Sequence, residues 1–183
     1  MSFGEAIKSV FSKYATFSGR ARRYEFWYFF LFSFLVSLGL SIIPFLSLLS
    51  PLWTLAILIP TLAVTVRRFH DIGKSGWYYL IYIIPALLTL GCFIYIMAQI
   101  IPVVISAAAD SLFFTDMGAI DEITEEIMSS GIIESLMGAF FALLILGLVT
   151  FITWILWIVW MAKDSEPGTN KWGPNPKEVT VEP

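Results

Sequence analysis

The stretch RRFHDIGKSGW, residues 67–77, is a short polar segment beside two long uncharged runs. No Asp, Glu, Lys or Arg occurs in residues 26–66 or in residues 75–108. Each run exceeds the roughly 18 residues that can cross a hydrocarbon core about 30 Å thick. The polar segment therefore predicts a turn between two membrane spans.

The overall composition agrees with this interpretation. The chain has 183 residues, of which 58% are hydrophobic and 14% are charged, whereas a soluble domain carries about 25% charged residues. Its mean hydropathy is +0.82. This balance indicates an integral membrane protein. The single cysteine, Cys92, excludes an intramolecular disulfide.

Four spans are predicted, because Pro44 and Pro51 divide the first uncharged run into two. We place the spans at residues 26–45, 48–66, 77–100 and 137–161. Backbone groups in lipid must bond within their own segment, so each span is predicted to be a helix and the fold all-α. These spans form a membrane domain, residues 26–162, which includes an external acidic loop at residues 102–136. A basic cytoplasmic stretch, residues 1–25, precedes this domain, and a cytoplasmic tail, residues 163–183, follows it.

The positive charges predict the orientation. Every Lys and Arg precedes the first span, lies between the second and third, or follows the fourth. They are Lys8, Lys13, Arg20, Arg22, Arg23, Arg67, Arg68, Lys74, Lys163, Lys171 and Lys177. With four spans these three locations share one side, which the positive-inside rule assigns to the cytoplasm. We therefore expect both termini to be cytoplasmic.

Two segments outside the spans have helical periodicity. In SFGEAIKSVFSKY, residues 2–14, apolar and polar positions divide between opposite faces, which predicts an amphipathic helix on the cytoplasmic leaflet. A docking helix for a partner protein is the alternative. AIDEITEEIMSSG, residues 119–131, predicts an acidic helix in the external loop. No calcium-binding loop motif accompanies its carboxylates, so we expect no metal site.

The turn itself contains helix-terminating residues. Gly73 is suited to end the second span and Ser75 to cap the third. Arg67 and Arg68 lie where the helix dipole favours cations, and Asp71 is near enough in sequence to pair with them. Trp172, in the tail, is expected to pack on the membrane or on this turn.

Cations clustered at one leaflet favour contact with anionic lipid head groups. The candidate contact residues are Arg20, Arg22, Arg23, Arg67, Arg68, His70, Asp71, Lys74, Trp77 and Trp172. The enzymatic alternative rests on His70 and Asp71, since a carboxylate can orient a catalytic imidazole. No nucleophile motif and no third zinc ligand accompany them. We therefore expect no catalytic residue, cofactor or metal.

Three motifs carry a family resemblance. FSGRARRYEFWYF (17–29), RRFHDIGKSGWYYL (67–80) and GTNKWGPNP (168–176) together resemble the bacterial inner-membrane family known as domain of unknown function 805. The resemblance covers residues 14–84 and 139–176. It implies four spans with cytoplasmic termini and no established activity. The motif positions that carry over are Gly19, Arg20, Arg23, Glu25, Trp27, Arg67, Arg68, His70, Asp71, Gly73, Gly76, Trp77, Asn170, Gly173 and Pro174.

The sequence thus predicts a non-enzymatic structural, assembly or regulatory component of a bacterial inner membrane that contacts anionic lipid. Two alternatives stay open. Pro60 and Pro85, inside the second and third spans, favour a small transporter or channel subunit, although no ionisable residue lies at mid-span. A lipid-modifying enzyme using His70 is the other. We expect no nucleic-acid partner, and self-association and the protein partner are left open.

Overall fold

The computed structural model describes residues 1–113, 125, 128 and 131–178, whose regular secondary structure is helical. The longer helices are α1 (Phe3–Ser12), α2 (Arg23–Ile42), α3 (Ser50–Asp71), α4 (Leu80–Phe113) and α5 (Ile132–Ala162). Short 3-10 helices, Leu46–Leu49 and Gly76–Tyr79, precede α3 and α4.

Four helical stretches of the described residues are long and apolar enough to cross a membrane. They are Arg23–Ile42, Leu46–Asp71, Gly76–Ile105 and Ile133–Ala162. The prediction of an all-α protein with four membrane-spanning helices is therefore confirmed. The acidic helix predicted at residues 119–131 falls mainly on residues 119–124, 126, 127, 129 and 130, which lie outside the described residues.

Residues 1–80 and 156–183 form one compact unit, here called the terminal unit. In it, α1 starts at a capping box, in which the Ser2 hydroxyl and the Glu5 carboxylate each bind the other residue's backbone N–H. The buried face of α1, at Ala6 and Val10, and the Phe11 ring lie against α2. Helix α1 is thereby fixed to the first membrane-spanning helix.

Helix α3 continues through Pro60 because another side chain replaces the missing helix hydrogen bond. Proline has no backbone N–H, so the carbonyl of Ala56, four residues earlier, loses its usual partner. The Tyr14 hydroxyl donates to that carbonyl. Helix α3 continues beyond the predicted span 48–66 and ends at Asp71. Gly73 follows two residues later, and its φ of +76° is a left-handed conformation that glycine adopts without strain.

Helix α4 begins and ends differently from the predicted third span. Ser75 caps the 3-10 helix Gly76–Tyr79, which then leads into α4. The helix also continues past Ile100, through Pro102, to Phe113. Proline removes one backbone donor without removing the apolar surroundings that favour a continuous helix, so Pro102 does not end it.

Residues 81–155 form the second unit, here called the apolar unit. Hydroxyl and thiol groups join α4 and α5 within it. Thr89 and Thr150 share a hydrogen bond of 3.1 Å between their Oγ1 atoms, and the Tyr95 and Ser135 hydroxyls are 2.8 Å apart. The Cys92 thiol donates to the Ala139 carbonyl at 3.3 Å. The apolar side chains on these helices, such as Leu87 and Ile145, are mostly exposed.

Candidate functional site

Five charged side chains are buried in the terminal unit around the last turns of α3. We call Arg20, Glu25, Arg67, Arg68 and Asp71 the arginine cluster; each is 8% exposed or less. Burying charged groups is unfavourable unless they pair and hydrogen-bond. The stability of the terminal unit therefore depends on each charged group of the arginine cluster having its partner within hydrogen-bonding distance.

Asp71 binds two of the arginines. Its carboxylate accepts a hydrogen bond of 3.1 Å from Nε of Arg20 and one of 2.6 Å from Nη1 of Arg68. The Ser165 hydroxyl donates a third, also 2.6 Å long. Three donors, two of them cationic, therefore surround a carboxylate that is fully buried.

Arg20 joins this carboxylate to the tail. Its remaining N–H groups donate to the backbone carbonyls of Glu166 at 2.5 Å and Gly168 at 2.8 Å, with a longer contact to Gly173 at 3.4 Å. The backbone N–H of Glu166 donates to the Asp71 carbonyl at 2.8 Å. The tail therefore folds over the end of α3 and supplies oxygen atoms to a buried guanidinium.

Arg68 caps the end of α5. Its Nε and Nη2 atoms donate to the Met161 carbonyl at 3.2 and 3.1 Å, and Nη2 also donates to the Lys163 carbonyl. The Trp27 indole N–H adds a 3.2 Å bond to the same Met161 carbonyl. The last carbonyls of a helix have no partner within it and carry partial negative charge. Arg68 supplies both the donors and the cation that this end requires.

Arg67 and Glu25 form the second ion pair of the cluster. Nη1 of Arg67 donates to the Glu25 carboxylate at 2.9 Å, and the Ser9 hydroxyl of α1 donates to the same oxygen at 3.1 Å. We expected Asp71 to pair with both neighbouring arginines, and for Arg67 that prediction is wrong. Arg20 and Ser165 occupy the remaining positions around the Asp71 carboxylate, and Arg67 instead reaches α2.

His70 contacts the tail and the segment before α2. Its Nδ1 lies 3.1 Å from the Gly19 carbonyl, which can only accept, so Nδ1 carries a proton. Trp172 stacks on the imidazole at 4.5 Å between ring centroids, with the planes 10° apart. Of the two expected packing sites for Trp172, the turn is the one observed. Because Asp71 binds arginines, His70 and Asp71 do not form the pair on which the enzymatic alternative rests.

The other candidate contact residues lie nearer the surface. Arg22 and Arg23 are half-buried at the start of α2, and Arg23 lies over the Tyr24 ring at 5.1 Å. The Lys74 ammonium lies over the Tyr78 and Trp160 rings, at 4.5 and 4.6 Å from their centroids. Trp77 is 77% exposed. Among the residues that the structure describes, no group of three His, Cys, Asp or Glu side chains could hold a metal ion.

Sequence reasoning placed Glu25, Ser9 and Ser165 outside the candidate site. Glu25 carried a signal that could have found it, because it stands one residue before an uncharged run in the aromatic stretch YEFWYFF. A carboxylate so close to a membrane span is expensive without a cation beside it. Nothing in the sequence indicated which of the eleven cations that would be.

Comparison with known proteins connects this site to a family. Residues 14–109, slightly more than half of the chain, match the family model described as protein of unknown function (DUF805). Inner membrane protein YhaI of Escherichia coli (strain K12) is 40% identical over 82 residues, and inner membrane protein YhaH of the same strain is 31% identical over 85 residues. Each match covers 42% of this chain and 70% of the relative. No solved structure matches.

Proposed function

The chain belongs to the DUF805 family of inner-membrane proteins of unknown function, and we propose that it is a structural, assembly or regulatory membrane component that binds anionic lipid. One observation carries the proposal. All eleven Lys and Arg residues belong to the terminal unit, whereas the apolar unit, residues 81–155, has seven carboxylates and no cation. This partition favours a cytoplasmic location for the terminal unit, beside the anionic surface of the inner leaflet.

The burial pattern divides the cations into two functional groups. Arg20, Arg67 and Arg68 bind protein groups, so their role in this proposal is to hold the terminal unit together. Lipid contact falls to more exposed cations, which lie at the start of α2 and at the end of α1. Two of them, Arg22 and Lys13, line a groove of about 470 Å³ between α1, the start of α2 and the tail within the terminal unit. Each cation near the membrane surface contributes about 1 kcal/mol to binding anionic lipid.

The lipid-contact test compares two charge-matched double variants by native mass spectrometry. Arg22→Gln with Arg23→Gln should weaken retention of phosphatidylglycerol relative to phosphatidylcholine by about thirtyfold, at about 1 kcal/mol per lost cation. Lys171→Gln with Lys177→Gln removes the same charge from the tail and should weaken it less. Equal retention by the first variant and the wild type would refute the proposed contact.

The proposed orientation has its own test. In a Cys92→Ser background, single cysteines are introduced at Ser2, Ser130 and Thr180. A membrane-impermeant thiol reagent applied to intact protoplasts should label position 130 only. Labelling at position 2 or 180 would place that terminus outside and overturn the orientation.

The transporter and channel alternative receives less support from the site. It rested on Pro60 and Pro85, the prolines inside the second and third predicted spans. At Pro60 the freed Ala56 carbonyl binds the Tyr14 hydroxyl, and Pro60 itself is buried. A buried proline whose freed carbonyl already has a hydrogen-bond donor favours helix packing over a solute pathway at this position.

A further inference from the structure

A cavity of about 340 Å³ lies in the terminal unit between the last turns of α3 and the 3-10 helix Gly76–Tyr79. Its walls include Val66, His70, Ser75, Trp77, Tyr79 and Leu80. The two helices approach closely because position 76 is glycine: a Cβ there would lie 2.7 Å from Cγ1 of Val66. The volume is at the lower end of the roughly 300–1,000 Å³ typical of small-molecule pockets.

Two polar groups at this cavity have unused hydrogen-bonding capacity. With the proton of His70 on Nδ1 and directed at the Gly19 carbonyl, Nε2 of the neutral ring is an acceptor, and it has no partner among the described residues. The Ser75 Oγ accepts from the Trp77 backbone N–H at 3.4 Å, while its hydroxyl hydrogen has no acceptor in the same part of the chain. These two side chains therefore offer one acceptor and one donor beside the cavity.

The cavity lies at the first residues of a membrane-spanning helix, and part of its wall is apolar. Trp77 is 77% exposed and Leu80 is 39% exposed, and both lie in the first residues of the apolar stretch Gly76–Ile105. Aromatic residues at the ends of membrane spans settle at the level of the lipid head groups. A ligand at this cavity would therefore meet apolar walls and the two polar groups together.

We propose that this cavity binds the head group of an anionic phospholipid that carries a free hydroxyl, the phosphatidylglycerol class. The inference rests on the lipid binding proposed above and adds head-group selectivity to it. The lipid hydroxyl donates to Nε2 of His70, and a phosphate oxygen accepts from the Ser75 hydroxyl. The glycerol carbons lie against Trp77 and Leu80.

Other head groups match these donors and acceptors less well. A phosphate oxygen alone has no hydrogen to donate to Nε2, and a choline head group has no N–H or O–H. An ethanolamine ammonium could also donate, but it would add a positive charge to a unit that already holds all eleven Lys and Arg residues. A hydroxyl next to a phosphodiester satisfies both groups without adding positive charge.

The test holds lipid charge and the number of head-group carbons constant and removes the two hydroxyls. Purified protein is titrated with phosphatidylglycerol and with phosphatidylpropanol of identical acyl chains, and binding is quantified by native mass spectrometry. Wild-type protein should prefer phosphatidylglycerol by about three- to tenfold, the effect of one neutral hydrogen bond. His70→Asn retains an amide N–H near the Nδ1 position and has no atom at Nε2. This variant should bind both lipids equally.

A second measurement needs no variant. His70 is the only histidine in the chain, so uniform ¹⁵N labelling of histidine gives the resonances of one imidazole. Phosphatidylglycerol should move the Nε2 resonance in the direction of an accepted hydrogen bond, and phosphatidylpropanol should leave it in place. Identical responses to the two lipids would overturn the proposal even if His70→Asn failed to fold.

The outcomes separate this inference from the proposed function. Equal wild-type retention of phosphatidylglycerol and phosphatidylpropanol, both above phosphatidylcholine, refutes the hydroxyl site and leaves the cationic lipid contact standing. Retention of neither above phosphatidylcholine refutes the cationic contact as well. Displacement of phosphatidylglycerol by an equal amount of phosphatidylethanolamine overturns the assignment of an anionic head group.

Discussion

The terminal unit and the apolar unit place their polar groups in opposite ways. In the terminal unit, guanidinium and carboxylate groups are buried and connect residues far apart in sequence, such as Arg20 with Asp71 and Arg67 with Glu25. In the apolar unit, isolated hydroxyl and thiol groups join two long helices that carry their apolar side chains outward. The first unit depends on specific partners, whereas the second depends mainly on its apolar surroundings.

The charge balance of the arginine cluster explains this dependence. Three guanidinium groups face two carboxylates, so the pairs alone leave one positive charge in excess. Backbone carbonyls compensate for it: Arg68 binds carbonyls at the end of α5, and Arg20 binds carbonyls of the tail. The tail and the end of α5 are therefore part of the electrostatic balance of the cluster, and removing one partner leaves a buried charge without its counter-ion or hydrogen bond.

The largest expected effect follows from replacing Asp71, which binds two arginines at once. Asp71→Asn keeps the side-chain shape and removes the charge, leaving Arg20 and Arg68 buried without a counter-ion. Breaking a buried ion pair costs about 3–5 kcal/mol. Asp164→Asn, which changes an exposed carboxylate in the same unit, is the matched control. Denaturant unfolding in detergent measures both, and a similar small loss in both would contradict the role given to Asp71.

The second prediction concerns the Arg67–Glu25 pair and separates the loss of one partner from the loss of both. Glu25→Gln should destabilise the protein by about 2–3 kcal/mol, because hydrogen bonds to charged groups are stronger than neutral ones. Among the described residues, Nε and Nη2 of Arg67 already lack a partner, so Arg67 loses the one ionic contact that the structure gives it. Glu25→Leu with Arg67→Met should destabilise less than Glu25→Gln, since apolar side chains can replace a buried pair.

A double variant that is less stable than Glu25→Gln would contradict this interpretation of the pair. It would mean that Arg67 contributes through its packed side chain more than through its charge. Thermal unfolding in one detergent, followed for both variants and the wild type, distinguishes the two cases.

Local features of the sequence were predicted well because their causes are local. Long uncharged runs gave four spans, Gly73 ended α3, and Ser75 capped the following helix, although that helix is a 3-10 turn. Each of these depends on hydrophobicity or backbone conformation within a few residues. The limits of α4 were less well predicted, because surroundings outside the local sequence decide whether a helix continues through proline.

The partners within the arginine cluster were not predictable in the same way. Arg20 and Asp71 are 51 residues apart, and Glu25 and Arg67 are 42 apart. Every cation near the turn satisfied the positive-inside rule equally well, so the sequence alone did not separate buried arginines from those at the surface. That distinction required the fold, which brings α1, the start of α2, the end of α3 and the tail together.

The apolar unit should respond much less to loss of a polar group. Thr150→Val removes the hydrogen bond to Thr89 while keeping the side-chain shape. Hydrogen bonds between membrane helices contribute about 0.6 kcal/mol on average, so we expect a change of that size in unfolding free energy. Thr54→Val, whose hydroxyl bonds only within its own helix, serves as the control. A loss comparable with that of Asp71→Asn would remove the contrast between the two units.

The smallest effect is expected at the exposed ion pair of the tail, between Lys177 and Asp164. The Lys177 ammonium, and after it the Ser165 backbone N–H, donate hydrogen bonds that lower the pKa of Asp164. A carboxyl whose pKa is lower in the folded state contributes stability above its unfolded pKa, about 3.9 for Asp, and loses it as the pH falls through the folded value. Water screens this pair, so its contribution is small.

Lys177→Gln should therefore leave the melting temperature at pH 7 almost unchanged and slightly flatten its decrease between about pH 4 and the folded pKa of Asp164. Thermal unfolding of Lys177→Gln and the wild type at pH 7 and below pH 4 measures both quantities. A large loss at pH 7 would show that this surface pair supports the fold as the buried pairs do, and the distinction between buried and exposed charges in the terminal unit would fail.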